Sequence, residues 1–520
     1  MARTVSTDIF ELIKSLSTGE KRYFKLYSAL GNTNMDAIYI RLFDSIDGQA
    51  SYDEQRVMKE IPEAKQHQLS NQKKHLSDLI IESLRLFHSQ NTVDARLQSS
   101  ISEIEVLFSK RLFKHCLTEI EKAKSLSIRY EKLLQLGQLL DWEEKILCEN
   151  FSFPNWKVQM NKVAEDKGHL AKAIGSLIEY QGLMNRVTQF FQKGWSVNYK
   201  ETKREMEEIL QHNFFRKNIL PSSFIQRYYH RHIQSTCFFG LKQLEKSLSM
   251  RRKMLDDFSS DPDMRDANLP FFVSAVNSYI FNCIELQKEY DLEAVFSKSI
   301  EVINNSPHSK SPDMIVRTYT LYLGILAHFI NSGKFSNGAA FVAQMEDSFH
   351  KYEDKIKETT QIIFSYMCAL IYFGAGDSKR CLFWTNRILN RKSEVREDIQ
   401  IFTRILNLML QFDLKKRSDL EYQLRSTERF LSKRNNGLQV EKLMVNFIGK
   451  KAPLANSKKE LHLAFADLKK KIEELYKNEN ERAAEDYFDF ISWTESKLEN
   501  ISFEEAAKRT AKKRAGLKKG

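Results

Sequence analysis

The chain has 520 residues, of which 18 are glycine and 8 are proline. These are about 3.5% and 1.5% of the chain, against averages of roughly 7% and 5%. So few turn-forming residues argue strongly against a β-sandwich or barrel and disfavour a doubly wound α/β fold. Apolar residues make up 42% of the chain and the formal net charge is +12. A globular, all-α protein is therefore predicted.

Residues 1–92 are predicted to form an N-terminal helical head. Apolar side chains repeat with helical spacing in successive segments, and the longest segment runs from about Gln66 to His88. Between the first two segments, Ser17 and Glu20 have the spacing of a capping box, in which each side chain accepts a hydrogen bond from the other residue's backbone N–H. Asp47-Gly48 is predicted to end the third helix.

Residues 93–431 show a different pattern, in which an apolar helix, a short turn and an amphipathic helix follow one another repeatedly. From Gly240 the turns recur after 48, 45 and 43 residues, a period typical of helical repeat arrays. A single hairpin cannot bury its own apolar face, so neighbouring hairpins are expected to stack. The predicted turns are Lys110-Arg111-Leu112, Gly240-Leu241-Lys242, Lys288-Glu289-Tyr290, Gly333-Lys334-Phe335 and Gly376-Asp377-Ser378.

The segment from Leu323 to Phe335 resembles a tetratricopeptide (TPR) repeat. In that family an apolar helix reaches a glycine at the turn, an aromatic residue follows two positions later, and a small residue follows three positions after that. Gly333, Phe335 and Gly338 occupy these places. The resemblance extends over about residues 100–430 and implies a right-handed α-solenoid whose concave groove holds peptide segments. The family's clamp residues have no positional counterparts here.

The C-terminal part is predicted to form a helical cap over residues 432–505 and a basic, disordered tail over residues 506–520. Long charged helices and a final apolar cluster around Trp493 favour the cap, because a solenoid needs a polar-faced end. The tail contains seven basic residues and no acidic one. Disorder concentrates at such termini.

The net charge is concentrated in two basic segments. Residues 214–255 carry +8 and residues 506–520 carry +7, so the remaining 463 residues carry −3. Nucleic-acid binding over the whole surface is therefore not expected. Any electrostatic contact with a polyanion is predicted to use one or both of these segments.

The first basic segment also contains interleaved aromatic residues. On a helix, Arg227 and Arg231 share one face, as do Tyr228 and His232. These four residues are candidates for binding a partner, with arginine contacting an anionic group and tyrosine stacking on a base or peptide. The alternative is a repeat helix that buries its aromatic rings in the core and leaves arginines at the rim.

In the tail, Lys512, Lys513 and Arg514 are the candidate partner-binding residues. They could hold nucleic acid, a ribosome or an acidic protein by salt-dependent contacts without sequence specificity. The alternative is a solvated terminus that only aids solubility.

No catalytic motif is found in the sequence. It lacks GxxxxGK[ST], HExxH and GxSxG patterns, and His230 and His232, spaced two apart, point to different helix faces. The six cysteines have no CxxC spacing, which favours reduced thiols in a cytoplasmic protein. No enzyme activity, cofactor, metal site or membrane span is expected.

The predicted function is a cytoplasmic, non-catalytic scaffold or adaptor that binds a peptide or acidic segment of a partner protein in its groove. The alternative is a nucleic-acid or ribonucleoprotein-associated factor that uses the basic segments 214–255 and 506–520. The sequence leaves the oligomeric state open.

Overall fold

The computed structural model is 86% helical and has no strand in the part of the chain that it describes. This confirms the predicted all-α class. Two compact units are present: unit 1, Met1–Ile178, and unit 2, Glu179–Gly520. The described residues are 7–30, 34–62, 66–89, 92–193, 199–216, 220–286, 292–306, 309, 311–391, 395–414, 417–433 and 437–517.

Unit 1 begins with the predicted head and continues with three helices that pack in sequence order. Its helices are α1 (Asp8–Ser15), α2 (Thr18–Leu30), α3 (Asn34–Asp47), α4 (Glu54–Glu60), α5 (Gln66–His88), α6 (Val93–Ser109), α7 (Phe113–Arg129) and α8 (Leu133–Glu149). The long helix α9 (Trp156–Lys193) contains the boundary between the two units.

The head has a core of its own, made by apolar residues of α1 to α5 around Phe24 and Phe43. The predicted capping box is confirmed, because the Ser17 amide donates to Glu20 Oε2 at 2.7 Å and the Glu20 amide donates to Ser17 Oγ at 3.3 Å. Helix α5 has the predicted bounds. A separate cluster around Leu97 and Leu139 is the core of α6 to α8.

Unit 2 contains the remaining helices, together with short 3₁₀ turns and one π-helical segment, Phe447–Lys451. These helices are α10 (Tyr199–Leu210), α11 (Asn213–Arg216), α12 (Phe224–Gly240), α13 (Leu244–Ser260), α14 (Pro262–Ala267), α15 (Leu269–Leu286), α16 (Leu292–Asn305), α17 (Pro312–Ser332), α18 (Phe335–Tyr352), α19 (Glu358–Gly374), α20 (Ser378–Leu389), α21 (Glu397–Asp413), α22 (Arg417–Lys433), α23 (Gln439–Asn446), α24 (Lys458–Leu475), α25 (Glu479–Arg482), α26 (Phe490–Glu499) and α27 (Phe503–Leu517).

From α12 to α22 the packing follows the chain. Helices α15, α17, α19 and α21 contact one another in that order, and the second helix of each pair contacts the first helix of the next. The first helices are the more apolar ones: α19 buries a run of residues that includes Phe364 and Tyr372, and α21 one that includes Phe402. This nearest-neighbour packing buries faces that one hairpin would leave exposed.

Five of the turns between consecutive helices in the described residues share one geometry. At the turns after α6, α7, α12, α17 and α19 a residue with positive φ is followed by an amide that donates to a carbonyl five residues earlier, which is a Schellman motif. The residues with positive φ are Arg111, Glu131, Lys242, Gly333 and Gly376. Four of these turns were predicted, the turn at Glu131 was not, and the predicted turn at Lys288 lies outside the described residues.

Two features differ from the sequence-based expectations. The boundary between the units falls at residues 178 and 179, inside the segment 93–431 predicted to form one array. The predicted disordered tail is wrong for residues 506–517, because these belong to α27, which packs on α17 and α26. Small and apolar residues on one face of this helix, including buried Ala506 and Ala507, give it a surface to dock.

One of the described helices, α15, is long and apolar enough by composition to cross a membrane, and its mean hydropathy is 1.3. Half of this stretch is buried within the fold. Because core helices pass the same test of length and composition, this single helix is weak evidence for a membrane span.

Candidate functional site

Two of the four candidate residues in α12 belong to the core. Tyr228 and His232 are 6% and 7% exposed, and their rings stack with centroids 5.4 Å apart. Tyr228 also stacks on Phe271 of α15. Neither side chain can present its ring to a partner, so the prediction that Tyr228 and His232 bind a partner is wrong. The alternative prediction, in which the helix buries its aromatic rings in the core, fits both residues.

The two arginines of α12 face a carboxylate of α13. Arg231 Nε lies 3.3 Å from Asp257 Oδ2, and Arg227 Nε lies 4.0 Å from Asp257 Oδ1. Burial raises the pKa of Asp257, an effect that the two guanidinium groups oppose. Asp257 lies two residues after the basic segment 214–255, so the charge of that segment is partly neutralised inside the fold. Arg227 and Arg231 therefore make an intramolecular ion pair with Asp257.

We expect Arg231→Met to lower the free energy of unfolding of unit 2 by about 2 kcal/mol, because it leaves the mostly buried Asp257 carboxylate without its nearer cation. Methionine retains the packing of the arginine stem. Arg227→Met, at the longer distance, should cost less than about 1 kcal/mol. Urea unfolding followed by circular dichroism measures both, and equal effects would contradict this account of Asp257.

The tail candidates lie on α27, and their surroundings differ. Lys512 and Lys513 are exposed. Arg514 points to two carboxylates, with Nη2 3.8 Å from Glu485 Oε1 and 3.9 Å from Asp489 Oδ2. Arg514 therefore lies close to carboxylates of the same unit, whereas the two lysines face solvent. Lys217, Lys518 and Lys519 lie outside the described residues.

Helix α27 begins in an aromatic cluster of unit 2. The ring of Phe503 lies 5.3 Å from Phe335, 5.4 Å from Phe488 and 5.5 Å from Phe373, measured between centroids. Glu504 accepts a hydrogen bond from the Ser336 hydroxyl. The C-terminal helix is thus joined to the turn that begins α18 and to the end of α19.

A cavity of about 670 Å³ lies between the first helices of the pairs and the C-terminal segment. We call it the inner cavity. One wall is mainly apolar and the opposite wall is charged. The apolar wall, from α15, α17 and α19, contains Ile284, Ala327, Ile330, Ile363, Met367 and Leu370, together with the polar residues Glu285, Asn331 and Tyr366. The charged wall includes Arg482, Glu485, Asp489 and Arg514.

A hydrogen-bonded group fixes the rim of the inner cavity. Arg396 Nη2 lies 2.6 Å from Asp398 Oδ2, and Tyr487 Oη donates to the same oxygen at 2.8 Å. Burial alone would raise the pKa of Asp398, but the hydrogen bonds from Arg396 and Tyr487 outweigh it and hold that pKa below its usual value. Burial, with the Asp398 carboxylate, raises the pKa of Tyr487 to about 12.

The same tyrosine anchors the C-terminal segment. Its ring stacks on Phe402 of α21 at 4.4 Å, and its carbonyl oxygen accepts from Tyr366 Oη at 3.1 Å. The carboxylate of Asp398 stays ionised across neutral pH and Tyr487 stays protonated. This group is suited to holding the segment in place and to presenting fixed charges at the rim.

Sequence reasoning missed the inner cavity, because its two walls are more than 100 residues apart in the chain. The available signal was a set of aromatic residues among charged ones: Tyr487, Phe488 and Phe503 lie in the predicted cap, shortly before the predicted tail. Within the described residues, no group of three or more His, Cys, Asp or Glu is placed to hold a metal ion.

Comparison with known proteins adds no assignment. The chain matches no protein-family model, no curated protein and no solved structure.

Proposed function

We propose that unit 2 is a right-handed, solenoid-like helical repeat and a non-catalytic protein-interaction scaffold. The observation that carries this proposal is the inner cavity, which runs along the first helices of successive pairs. This is the surface on which TPR-like arrays, which the sequence resembles between residues 100 and 430, hold peptides. The chain's own segment 482–517 forms the opposite wall.

The proposed ligand is an extended segment of a partner protein with an apolar anchor residue and charged flanks. The volume of about 670 Å³ is within the range of roughly 300–1,000 Å³ for ligand pockets. The wall around Met367 and Ile330 would receive the anchor. Arg396 at one edge and Arg514 and Glu485 at another would pair with flanking charges of either sign.

Met367→Trp is expected to weaken binding of such a segment at least tenfold, because the indole ring fills space next to the apolar wall. A displayed library of random peptides, selected on the intact chain, supplies the ligand, and its affinity is then measured by fluorescence anisotropy. Leu463→Trp adds the same ring at a residue that is 59% exposed and should leave affinity unchanged.

Two results would count against the proposal: selection that enriches no peptide, or enriched peptides that bind the Met367→Trp chain as tightly as the unchanged one. Thermal melting of each variant identifies a loss of binding caused by unfolding.

The alternative function, binding of nucleic acid through residues 214–255 and 506–520, has less support. Arg227 and Arg231 are engaged by Asp257, and Arg514 lies close to two carboxylates. Its remaining support is a set of exposed lysines in the two segments: Lys242, Lys246, Lys253, Lys512 and Lys513.

A further inference from the structure

A second concave surface lies between α21 and α22. We call this surface, of about 430 Å³, the α22 groove. Its lining contains four cations and two aromatic rings but no carboxylate. The lining residues are Arg404, Tyr422, Arg425, Ser426, Arg429, Phe430 and Lys433.

The α22 groove follows one face of one helix. Tyr422, Arg425, Arg429 and Lys433 are spaced by three, four and four residues, which places their side chains in a row. At a rise of about 1.5 Å per residue, the three cations succeed one another about every 6 Å. All four side chains are exposed, so the row presents a linear series of positive charges that begins with an aromatic ring.

The four cations of the α22 groove form no ion pair with any carboxylate among the described residues. The carboxylates of the same helix do not pair with the four cations either. These carboxylates belong to the described residues Asp419, Glu421 and Glu428. Elsewhere in unit 2 the arginines that border cavities are paired, as Arg396 is with Asp398. The groove therefore carries uncompensated charge within a small concave volume, which favours an anionic ligand.

Arg404, from α21, forms the floor of the groove. Its Nη1 donates to Ser426 Oγ at 3.0 Å, and its guanidinium lies 4.7 Å from the ring centroid of Phe430. The Nε atom is buried and has no hydrogen-bond partner in the described structure. Burial lowers the pKa of Arg404, so an anion nearby would relieve an unfavourable burial of charge.

We propose that the α22 groove binds single-stranded nucleic acid through three to four nucleotides. Regularly spaced Arg425, Arg429 and Lys433 would contact successive phosphates. Tyr422, which is 68% exposed, would stack on a base. A positive groove with exposed aromatic side chains is the usual arrangement for single strands without sequence preference. An acidic peptide would use the charges but would leave the exposed ring without a role.

This inference does not depend on the peptide-binding function, because the α22 groove and the inner cavity have no lining residue in common. The test uses the full chain and a fluorescein-labelled 12-nucleotide oligouridine, with anisotropy measured from about 50 to 200 mM salt, where screening of exposed charges changes strongly. Binding should weaken with salt, with a slope of about −2 for three phosphate contacts on a single strand.

Arg425→Glu/Arg429→Glu is expected to reduce affinity at least 100-fold and to flatten the salt slope by about 1.4, which corresponds to two lost phosphate contacts. Tyr422→Ala should weaken binding about tenfold, within the range for loss of one stacked base, without a change in slope. All three side chains are exposed, so folding should be retained.

Two double charge reversals of the same size are the controls. Lys458→Glu/Lys459→Glu, at exposed residues of α24 in the same unit, should leave affinity within about threefold. Lys512→Glu/Lys513→Glu tests the tail, and it should likewise have a small effect.

Four results would overturn the proposal. The unchanged chain fails to bind oligouridine at 50 mM salt, the Arg425→Glu/Arg429→Glu chain binds as tightly as the unchanged one, or the tail variant causes the main loss. The fourth result has two parts: a 12-residue poly-glutamate peptide binds more tightly than oligouridine, and Tyr422→Ala leaves the affinity for the peptide unchanged. This result would assign the groove to acidic peptides.

Discussion

Gly333→Ala is expected to destabilise unit 2 by about 3 kcal/mol, whereas Gly376→Ala should cost only about 1 kcal/mol. Both glycines end the first helix of a pair in the left-handed region, with φ of +69° and +78°. A Cβ at residue 333 would lie 2.7 Å from the Lys508 amide nitrogen, and a Cβ at residue 376 would meet nothing within 4 Å. The difference between the variants therefore measures the docking of α27.

Urea unfolding gives the two free energies, and limited trypsin digestion reports on α27 itself. Trypsin should cleave after Lys508 and Arg509 sooner in Gly333→Ala than in Gly376→Ala, because a methyl group at residue 333 pushes against the backbone of that helix. Equal stabilities, with equal rates of cleavage in α27, would contradict the close packing between the turn at residue 333 and α27.

Acidification from pH 6.5 to 4 is expected to destabilise unit 2 by roughly 3 kcal/mol for each of two buried histidines. Burial, with a smaller effect of Arg231, lowers the pKa of His230 to about 4. Burial, with a smaller effect of Arg251, lowers the pKa of His232 to about 4.

The sign follows from the two states. In the unfolded chain the imidazoles take up protons near pH 6.5, whereas in the folded chain they remain neutral until about pH 4. The stabilisation from neutral, buried rings is complete above pH 6.5 and is lost progressively as the pH falls towards 4.

His232→Phe is the matching test. Phenylalanine retains the stacking on Tyr228, and the His232 Nδ1 that it removes has no hydrogen-bond partner in the described structure. The variant should lose about half of the histidine contribution to the pH dependence of unfolding. His462→Gln, which changes an exposed ring, serves as the control, and a His232→Phe profile parallel to that of the unchanged chain would contradict the assignment.

The inner cavity and the α22 groove lie on the same unit but have different chemistry. The inner cavity joins an apolar wall to paired charges, whereas the cations of the α22 groove form no ion pair with a carboxylate of the described residues. A scaffold with both would bind a protein segment and a polyanion independently. The Met367→Trp and Arg425→Glu/Arg429→Glu variants should each remove one activity and retain the other.

The sequence by itself determined the features that depend on neighbouring residues. Apolar spacing predicted the helices, and Ser17 with Glu20 predicted a capping box that is present. Gly333 and Gly376 predicted turns that adopt the left-handed geometry which glycine tolerates best. These are contacts within one or two helical turns, so local stereochemistry is enough to specify them.

Only the tertiary structure decided which side chains are available to a partner. The sequence pattern allowed the face of α12 with Tyr228 and His232 to lie either at the surface or in the core. Packing against α13 and α15 buried both side chains. Asp257 neutralises Arg231 because α13 folds back on α12, and α27 is ordered because α17 and α26 offer it a surface. Burial and charge compensation depend on contacts between distant segments, which the order of residues along one helix does not specify.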